Sequence, residues 1–401
     1  MEPASPAYPS DAALHRALKR RVWNARWWFQ ASTAAGLEPW LEEEVRELLP
    51  DETPEVTSGR VRVEAPFDAV YRLAQGLRTA DALRVRVAEE AAGSFPILRD
   101  HLGRVAWAWW LPAVVRLEVR VRSRRSRLRD DAGLERTLRQ AIRAQGIDEA
   151  GGRDAPELAV RLDLDHDRVS VWLDVAGEPL HRRTGERWTV PGALRETTAA
   201  ALVRAAGVDH ADLIVDPFCG AGTILEEAGA GCAGSWPGID RRFGMEASPA
   251  WNPGRRRHAA RSAPALEPVP PRVGIDASEA ALNAARRNLS RAQEVGAPEL
   301  LHADARAVDL PALAARYGAQ RPLLLTNPPY GRRVSAGGPD PVALLAQVLD
   351  GAPGWRVGLL FPDPDALQAR SSLRIERIVR FRMRGLPNAV IVGSAESDAD
   401  R

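Results

Sequence analysis

Two short stretches hold residues whose types and order could do chemistry. The first is Asp216-Pro217-Phe218-Cys219-Gly220-Ala221-Gly222-Thr223, preceded by the apolar run Leu213-Ile214-Val215. That run is too short for a helix and suits a buried parallel strand. Gly220 and Gly222 are free to take backbone angles that other residues resist. From Thr223 onward, with Glu226 and Glu227 near the start, the pattern predicts a helix. A tight glycine turn between strand and helix lets a ligand approach the backbone closely, beside the positive end of the helix. It is not the dinucleotide Gly-x-Gly-x-x-Gly, because Thr223 and Glu226 follow Gly222, and no Lys-Ser/Thr follows to make a P-loop. The second stretch, Thr326-Asn327-Pro328-Pro329-Tyr330-Gly331, comes after Leu323-Leu324-Leu325. Alone it reads equally as a rigid turn, since two prolines fix φ and end pairing.

In this order the two motifs resemble those of S-adenosylmethionine-dependent amino-group methyltransferases. The resemblance implies that the turn faces the methionine part of S-adenosyl-L-methionine. The matching positions are Asp216, Phe218, Cys219, Gly220, Gly222 and Thr223, with Asp216 accepting from the ammonium directly or through water. Val273-Gly274-Ile275-Asp276-Ala277 predicts the next strand. An acid at its end can accept both ribose hydroxyls, which gives Asp276 that role, with Ala277 beside it. Leu300-Leu301-His302-Ala303-Asp304-Ala305 ends on Asp304, placed to accept from the adenine amino group, with Ala305 next to it. One acid at a strand end is often only a helix cap; the ordered series carries the reading. Asn327, Pro328, Pro329 and Tyr330 would form the acceptor site. The Asn327 side-chain oxygen and the Pro328 carbonyl would each accept one N–H of an exocyclic amine, and Tyr330 would stack on the base. The base must be unstacked or flipped to reach them.

The elements that must position these residues begin with a strand at 27–33, a helix from 34 through 49, a strand at 59–64, a helix at 67–77 and a strand at 84–87. That order suggests a small ferredoxin-like unit. Val114-Val115-Arg116-Leu117-Glu118-Val119-Arg120-Val121-Arg122 alternates as a half-buried strand with an arginine-bearing face. An amphipathic helix at 134–144 and a strand pair at 159–164 and 169–175 follow. This block, about 66–175, resembles a THUMP domain, an RNA-binding module, chiefly through Ser126-Arg127-Leu128-Arg129-Asp130 and Asp154-Ala155-Pro156-Glu157-Leu158. Between residues 104 and 143 there are eleven arginines and four acids. The arginine fork pairs with phosphate through two hydrogen bonds, so Arg122, Arg124, Arg125, Arg127 and Arg129 are expected to bind RNA. The alternative is a solvated basic face.

The expected fold class is α/β. A C-terminal Rossmann-like methyltransferase sheet spans 181–401, an N-terminal ferredoxin-like plus THUMP module spans 27–180, and 1–26 is a flexible tail that runs into a short basic helix before Asn24. A Pro/Arg-rich insertion, 235–271, interrupts the catalytic part. Within it Trp236-Pro237-Gly238-Ile239-Asp240-Arg241-Arg242-Phe243 resembles a segment of bacterial large-subunit rRNA guanine-N2 methyltransferases, whose domain order the chain also shares. The linker of that family usually reads Arg-Gly-Tyr-Arg; here Arg183-Thr184-Gly185-Glu186-Arg187 lacks the tyrosine. The resemblance implies methylation of guanine N2, in 23S rRNA. The competing readings are a tRNA guanine-N2 enzyme, an adenine-N6 enzyme and an RNA-binding assembly factor without catalysis. Two cysteines make neither a disulfide framework nor a zinc set. With no run of about 18 apolar residues, a cytoplasmic protein without metal or membrane contact is expected. The sequence leaves the oligomeric state open.

Overall fold

In a computed structural model the described residues are 8–150, 152, 154–183, 185, 187–290, 296–330, 340–383 and 385–396. They form two compact units. The first comprises described residues within 8–32, 45–182 and 238–262; the second comprises those within 33–44, 183–237 and 263–396.

The first unit is built on one eight-stranded sheet. Its strands are β1 (Arg26–Ser32), β2 (Glu55–Thr57), β3 (Arg60–Pro66), β4 (Ala82–Ala91), β5 (Val114–Arg124), β6 (Asp148–Glu149), β7 (Glu157–Asp165) and β8 (Arg168–Asp174). They lie in the order β2-β3-β1-β4-β8-β7-β5-β6. The expected ferredoxin-like and second α/β blocks therefore share one sheet, joined where β4 pairs with β8. Alternation sets the faces: β3 buries Val61, Val63 and Ala65 and leaves Arg60, Arg62 and Glu64 more accessible. The helix Asp131–Arg143 buries Leu134, Leu138, Ala141 and Ile142 at helical spacing.

Within the expected tail over 1–26, the short basic helix is present, and the part from Asp11 onward is anchored rather than loose. Asp11–Arg21 is a helix that buries Leu14 and Leu18, one turn apart. Trp23 follows it, 7% exposed, and its indole N–H donates to the Ala250 carbonyl at 2.7 Å. These apolar anchors outweigh the polar composition. Residues 1–7 of that tail lie outside the described residues.

The second unit holds a seven-stranded sheet. Its strands are β9 (Leu213–Asp216), β10 (Arg272–Asp276), β11 (Glu299–His302), β12 (Pro322–Thr326), β13 (Arg356–Phe361), β14 (Leu373–Met383) and β15 (Leu386–Ala395). The order is β11-β10-β9-β12-β13-β15-β14. The first five are parallel, and β15 runs antiparallel to both neighbours. All four β9 residues are buried, as a parallel strand covered on both faces requires. Strand order reverses direction at β9 and β12, the position where open α/β sheets bind ligands beyond the strand ends.

The expected boundary at 180/181 is corrected in two places. Residues 33–44 belong to the second unit, where Leu37 and Trp40, each 1% exposed, join a core with Leu202, Leu323 and Phe381. Residues 238–262, from the Pro/Arg-rich insertion, belong to the first unit. There the Gly238 N–H donates to Gln75 O at 2.8 Å, and a Cβ on Gly238 would lie 2.5 Å from Ala74 O. Only glycine fits so close to that backbone.

Candidate active site

The glycine turn leaves β9 at Asp216 and enters the helix Thr223–Cys232. Gly220 and Gly222 have φ of 54° and 81°, the left-handed region that favours glycine. They differ in surroundings. A Cβ on Gly222 would meet Leu289 Cδ1 at 2.9 Å, so this glycine lets two helices approach. A Cβ on Gly220 would find only Val190 Cγ2, at 3.9 Å. The space beside Gly220 is thus open to a ligand at the head of a helix.

Acids on the neighbouring strands hold the turn. Asp276, at the end of β10, accepts from Gly220 N (2.9 Å) through one oxygen and from Ser278 N (2.8 Å) through the other. Each oxygen keeps a second lone pair, so the carboxylate can still accept two ribose hydroxyls. Asp216 is 1% exposed. Its Oδ1 accepts from Phe218 N (3.1 Å) and from Thr326 Oγ1 (2.6 Å), while Oδ2 accepts no hydrogen bond among the described residues. One oxygen is structural, and the other remains for a cationic ligand group. Burial pushes this carboxyl up to about 7; the two hydrogen bonds oppose the rise and the Asp276 charge adds to it. Burial also pushes the Cys219 thiol up, so it packs as a neutral side chain.

Thr326 is the residue before Asn327, so the Asp216–Thr326 hydrogen bond ties the two motifs together. Asn327 is 8% exposed, and its Oδ1 is buried with no hydrogen-bond partner among the described residues. A buried acceptor left open in this way costs about 1–3 kcal/mol. Pro328 is buried and Pro329 and Tyr330 are half-buried. The Tyr330 ring stands edge-on to Phe361, centroids 5.9 Å apart, and Asn388 Nδ2 donates to its hydroxyl. Gly331 lies outside the described residues.

Other predicted positions are less central. Asp304 follows β11, with both oxygens engaged by Arg306, which holds its carboxyl down to about 2. Asp304 Oδ2 accepts one bond from Arg306 and keeps a second lone pair for a base. The Ala277 carbonyl meets His302 Nε2 at 3.1 Å, Ala305 is buried in the core, and Phe218 packs against the same core. Thr223 Oγ1 accepts from Arg187 at 2.8 Å.

The sequence reading missed the segment beside the turn. Arg187 also pairs with Glu196 (2.8 Å) and Glu226 (2.7 Å), and Arg183 pairs with Glu227 (3.1 Å). The linker arginines are thereby held to the start of the helix after the turn, without the missing tyrosine. Asn288, 3% exposed, accepts from Trp188 N (3.0 Å) and donates to Trp188 O (2.8 Å) and Ala221 O (2.9 Å). Arg287 lies 4.1 Å from the Trp188 ring. Partners 100 residues apart leave no local signal.

The predicted RNA-binding arginines sit at the end of β5 and the turn after it. Arg124, Arg125, Arg127 and Arg129 are exposed and Arg122 is half-buried. Asp165 faces Arg125 at 3.2 Å and Asp167 faces Arg127 at 3.3 Å. Such exposed pairs are worth at most about 1 kcal/mol, so phosphate can replace the carboxylates.

An open glycine turn, two acids at adjacent strand ends and an unpaired buried amide oxygen fit a cationic nucleoside cofactor beside a nitrogen acceptor. Residues 183–352 match the family described as RMKL-like, methyltransferase domain. Residues 183–352 are thus similar to an RMKL-like methyltransferase domain. Residues 29–85 match the RlmL ferredoxin-like domain. The chain is 28% identical over 325 residues to a protein of Syntrophotalea carbinolica named ribosomal RNA large subunit methyltransferase K/L, covering 76% of this chain and 44% of that one. It spans about half the length or less of the first such relatives. A Listeria monocytogenes structure described as a predicted N6-adenine-specific DNA methylase superposes with a TM-score of 0.79 at 21% identity, covering 93% of this chain and 97% of that one. TrmN from Thermus thermophilus superposes at 0.65 with 26% identity, covering 92% and 99%. These neighbours share the fold of the chain. Among the described residues no cluster of three His, Cys, Asp or Glu could hold a metal, and no helix is long and apolar enough to cross a membrane.

Proposed function

We propose that the chain transfers a methyl group from S-adenosylmethionine to the exocyclic N2 of a guanine in RNA, 23S rRNA being the target. The observation that carries this reading is the unpaired, buried Asn327 oxygen on a backbone fixed by β12, Pro328 and the Asp216–Thr326 bond. The name of the rRNA large subunit relatives supports the target.

Gly220, Gly222, Asp216 and Asp276 would hold the cofactor, with Phe218, Cys219, Thr223, Ala277, Asp304 and Ala305 around it. Bound there, it supplies an electrophilic methyl group on a sulfonium. The amine lone pair of guanine is delocalised into the ring, so the protein must aim it. Asn327 Oδ1 accepts one amine N–H and the Pro328 carbonyl the other, which favours a pyramidal nitrogen. Positioning of this kind contributes up to about 7–11 kcal/mol of a barrier. No strong base is needed, because the methylated nitrogen loses its proton to water afterwards. The Tyr330 ring, braced by Phe361 and Asn388, stacks on the flipped base, a contact worth about 1–3 kcal/mol. The half of the first unit from β5 to β8 serves as a THUMP-like module whose Arg122–Arg129 turn binds RNA phosphates.

The test is mass mapping of total RNA from a deletion strain, with re-methylation of its 23S rRNA by the purified protein. Loss and restoration of one N2-methylguanine in 23S rRNA is expected. Loss confined to tRNA, or methyl on adenine N6, would overturn the target; no methyl transfer at all would leave an RNA-binding assembly factor.

A further inference from the structure

Two basic stretches with no acid in them meet in the first unit. Residues 12–32 hold Arg16, Lys19, Arg20, Arg21 and Arg26, and residues 247–262 hold Arg255, Arg256, Arg257 and Arg261. They are more than two hundred positions apart in sequence. The Trp23–Ala250 hydrogen bond joins them, and Arg255 lies over the Trp23 ring at 5.4 Å. A groove runs between them, with Leu14, His15 and Leu18 on one side and Pro249, Trp251 and Asn252 on the other.

The cations divide by role. Arg255 is spent on Asp68 (2.7 and 2.8 Å), and Arg256 on Glu246, Ile239 O and Arg241 O. Arg16, Lys19, Arg20, Arg21, Arg257 and Arg261 are exposed and have no acidic partner among the described residues. Asp11 lines the groove. Two arginines thus fix the platform, and the remaining cations stand in water, where like charges repel unless an anion lies between them.

We infer that this surface, formed by the Asp11–Arg21 helix and the Pro253–Ala260 helix, is a second track for RNA phosphates, separate from the Arg122–Arg129 turn. The inference rests on the proposed RNA substrate and assigns a task to the Pro/Arg-rich insertion. Flexible, mostly arginine cations spread over two helices suit a backbone read by charge rather than by base edges.

The test compares three proteins on the same deproteinised 23S rRNA fragment across a salt series. They are wild type, a turn variant (Arg122→Glu, Arg124→Glu, Arg125→Glu) and a patch variant (Lys19→Glu, Arg20→Glu, Arg257→Glu). Thermal melting and S-adenosylhomocysteine affinity confirm the fold. A Gln set at the patch positions repeats the measurement if the Glu set is unstable. The patch variant should flatten the slope of log affinity against log salt by about 0.7–0.9 for each phosphate it no longer neutralises, so by about 2–3 in total, with cofactor affinity unchanged. A patch variant with the wild-type slope, beside a turn variant that is flattened, would overturn this inference and leave the RNA reading standing. Wild type without salt-dependent binding would overturn both. Patch-dependent binding to phosphatidylserine vesicles, with the RNA slope unaltered, would assign the surface to lipid and also overturn it.

Discussion

Replacing Asn327 by alanine should lower activity and raise or preserve stability. Its Oδ1 is buried and unpaired among the described residues, so the folded apoprotein carries a desolvated acceptor at a cost of about 1–3 kcal/mol. Alanine removes that cost and leaves a small gap worth about 1 kcal/mol against it. The net change falls between about zero and 2 kcal/mol in favour of the variant. In the proposed turnover the same oxygen is the acceptor for the amine. Removing one positioned hydrogen-bonding group at a reacting centre costs about 10²–10³ in rate. The assays are denaturant unfolding of the apoprotein and single-turnover methyl transfer to unmodified RNA, with cofactor affinity measured in parallel. Asn327→Asp should retain activity, since a carboxylate also accepts. A variant destabilised by more than about 2 kcal/mol would make Asn327 a structural residue, and a wild-type rate would remove it from the chemistry.

Tyr330→Phe should cost about 1–3 kcal/mol of stability, because it strips the buried Asn388 amide of its acceptor. Its methyl-transfer rate should stay well above that of Tyr330→Ala, and equal rates would show that the hydroxyl carries the contact to the base. Asp216, at about 7 when folded against about 4 unfolded, favours folding below about pH 4; that contribution is lost as pH rises to about 7. A cationic ligand group at Oδ2 favours the ionised form, so S-adenosylhomocysteine affinity should rise with pH up to about 7 and then level. Asp216→Asn should flatten the calorimetric profile, and a flat wild-type profile would remove Oδ2 from the site. Asn288→Ala frees Trp188 and the Ala221 carbonyl. It should raise KM for the cofactor about tenfold, the effect of 1.4 kcal/mol, with kcat near normal. A fall in kcat at unchanged KM would contradict that role.

The chemistry-bearing strands were legible because their signals are local. A three-residue apolar run followed by a glycine turn, and another followed by Asn-Pro-Pro-Tyr, bracket the sheet centre. Alternation marked β3, β5, β7 and β8 within a residue or two at most ends. The β14–β15 pair was missed, since Leu373–Met383 mixes Arg and Glu among its apolar residues and is largely accessible on both faces. The short basic helix before Asn24 was legible, but its anchoring was not, because Ala250 lies 227 positions from Trp23. Asn288 was invisible for the same reason, and the linker arginine Arg187 was noted without its partners, because only the fold brings them to the turn. The insertion carried no periodic apolar pattern, so nothing in its composition placed 238–262 in the first unit.

The assignment of residues 33–44 to the second unit has a consequence for how the chain is made. Leu37 and Trp40 emerge from the ribosome early, yet the core they complete includes Leu323 and Phe381. At about 5–20 residues per second, Trp40 waits on the order of tens of seconds for its neighbours. The strands on either side of it, β1 and β3, can pair in the meantime, leaving a loop that holds an exposed tryptophan. Recombination that moved residues 183–401 alone into another gene would leave Trp40 and its core partners in separate polypeptides. Inheritance of this catalytic sheet is therefore bound to inheritance of a twelve-residue segment from far upstream.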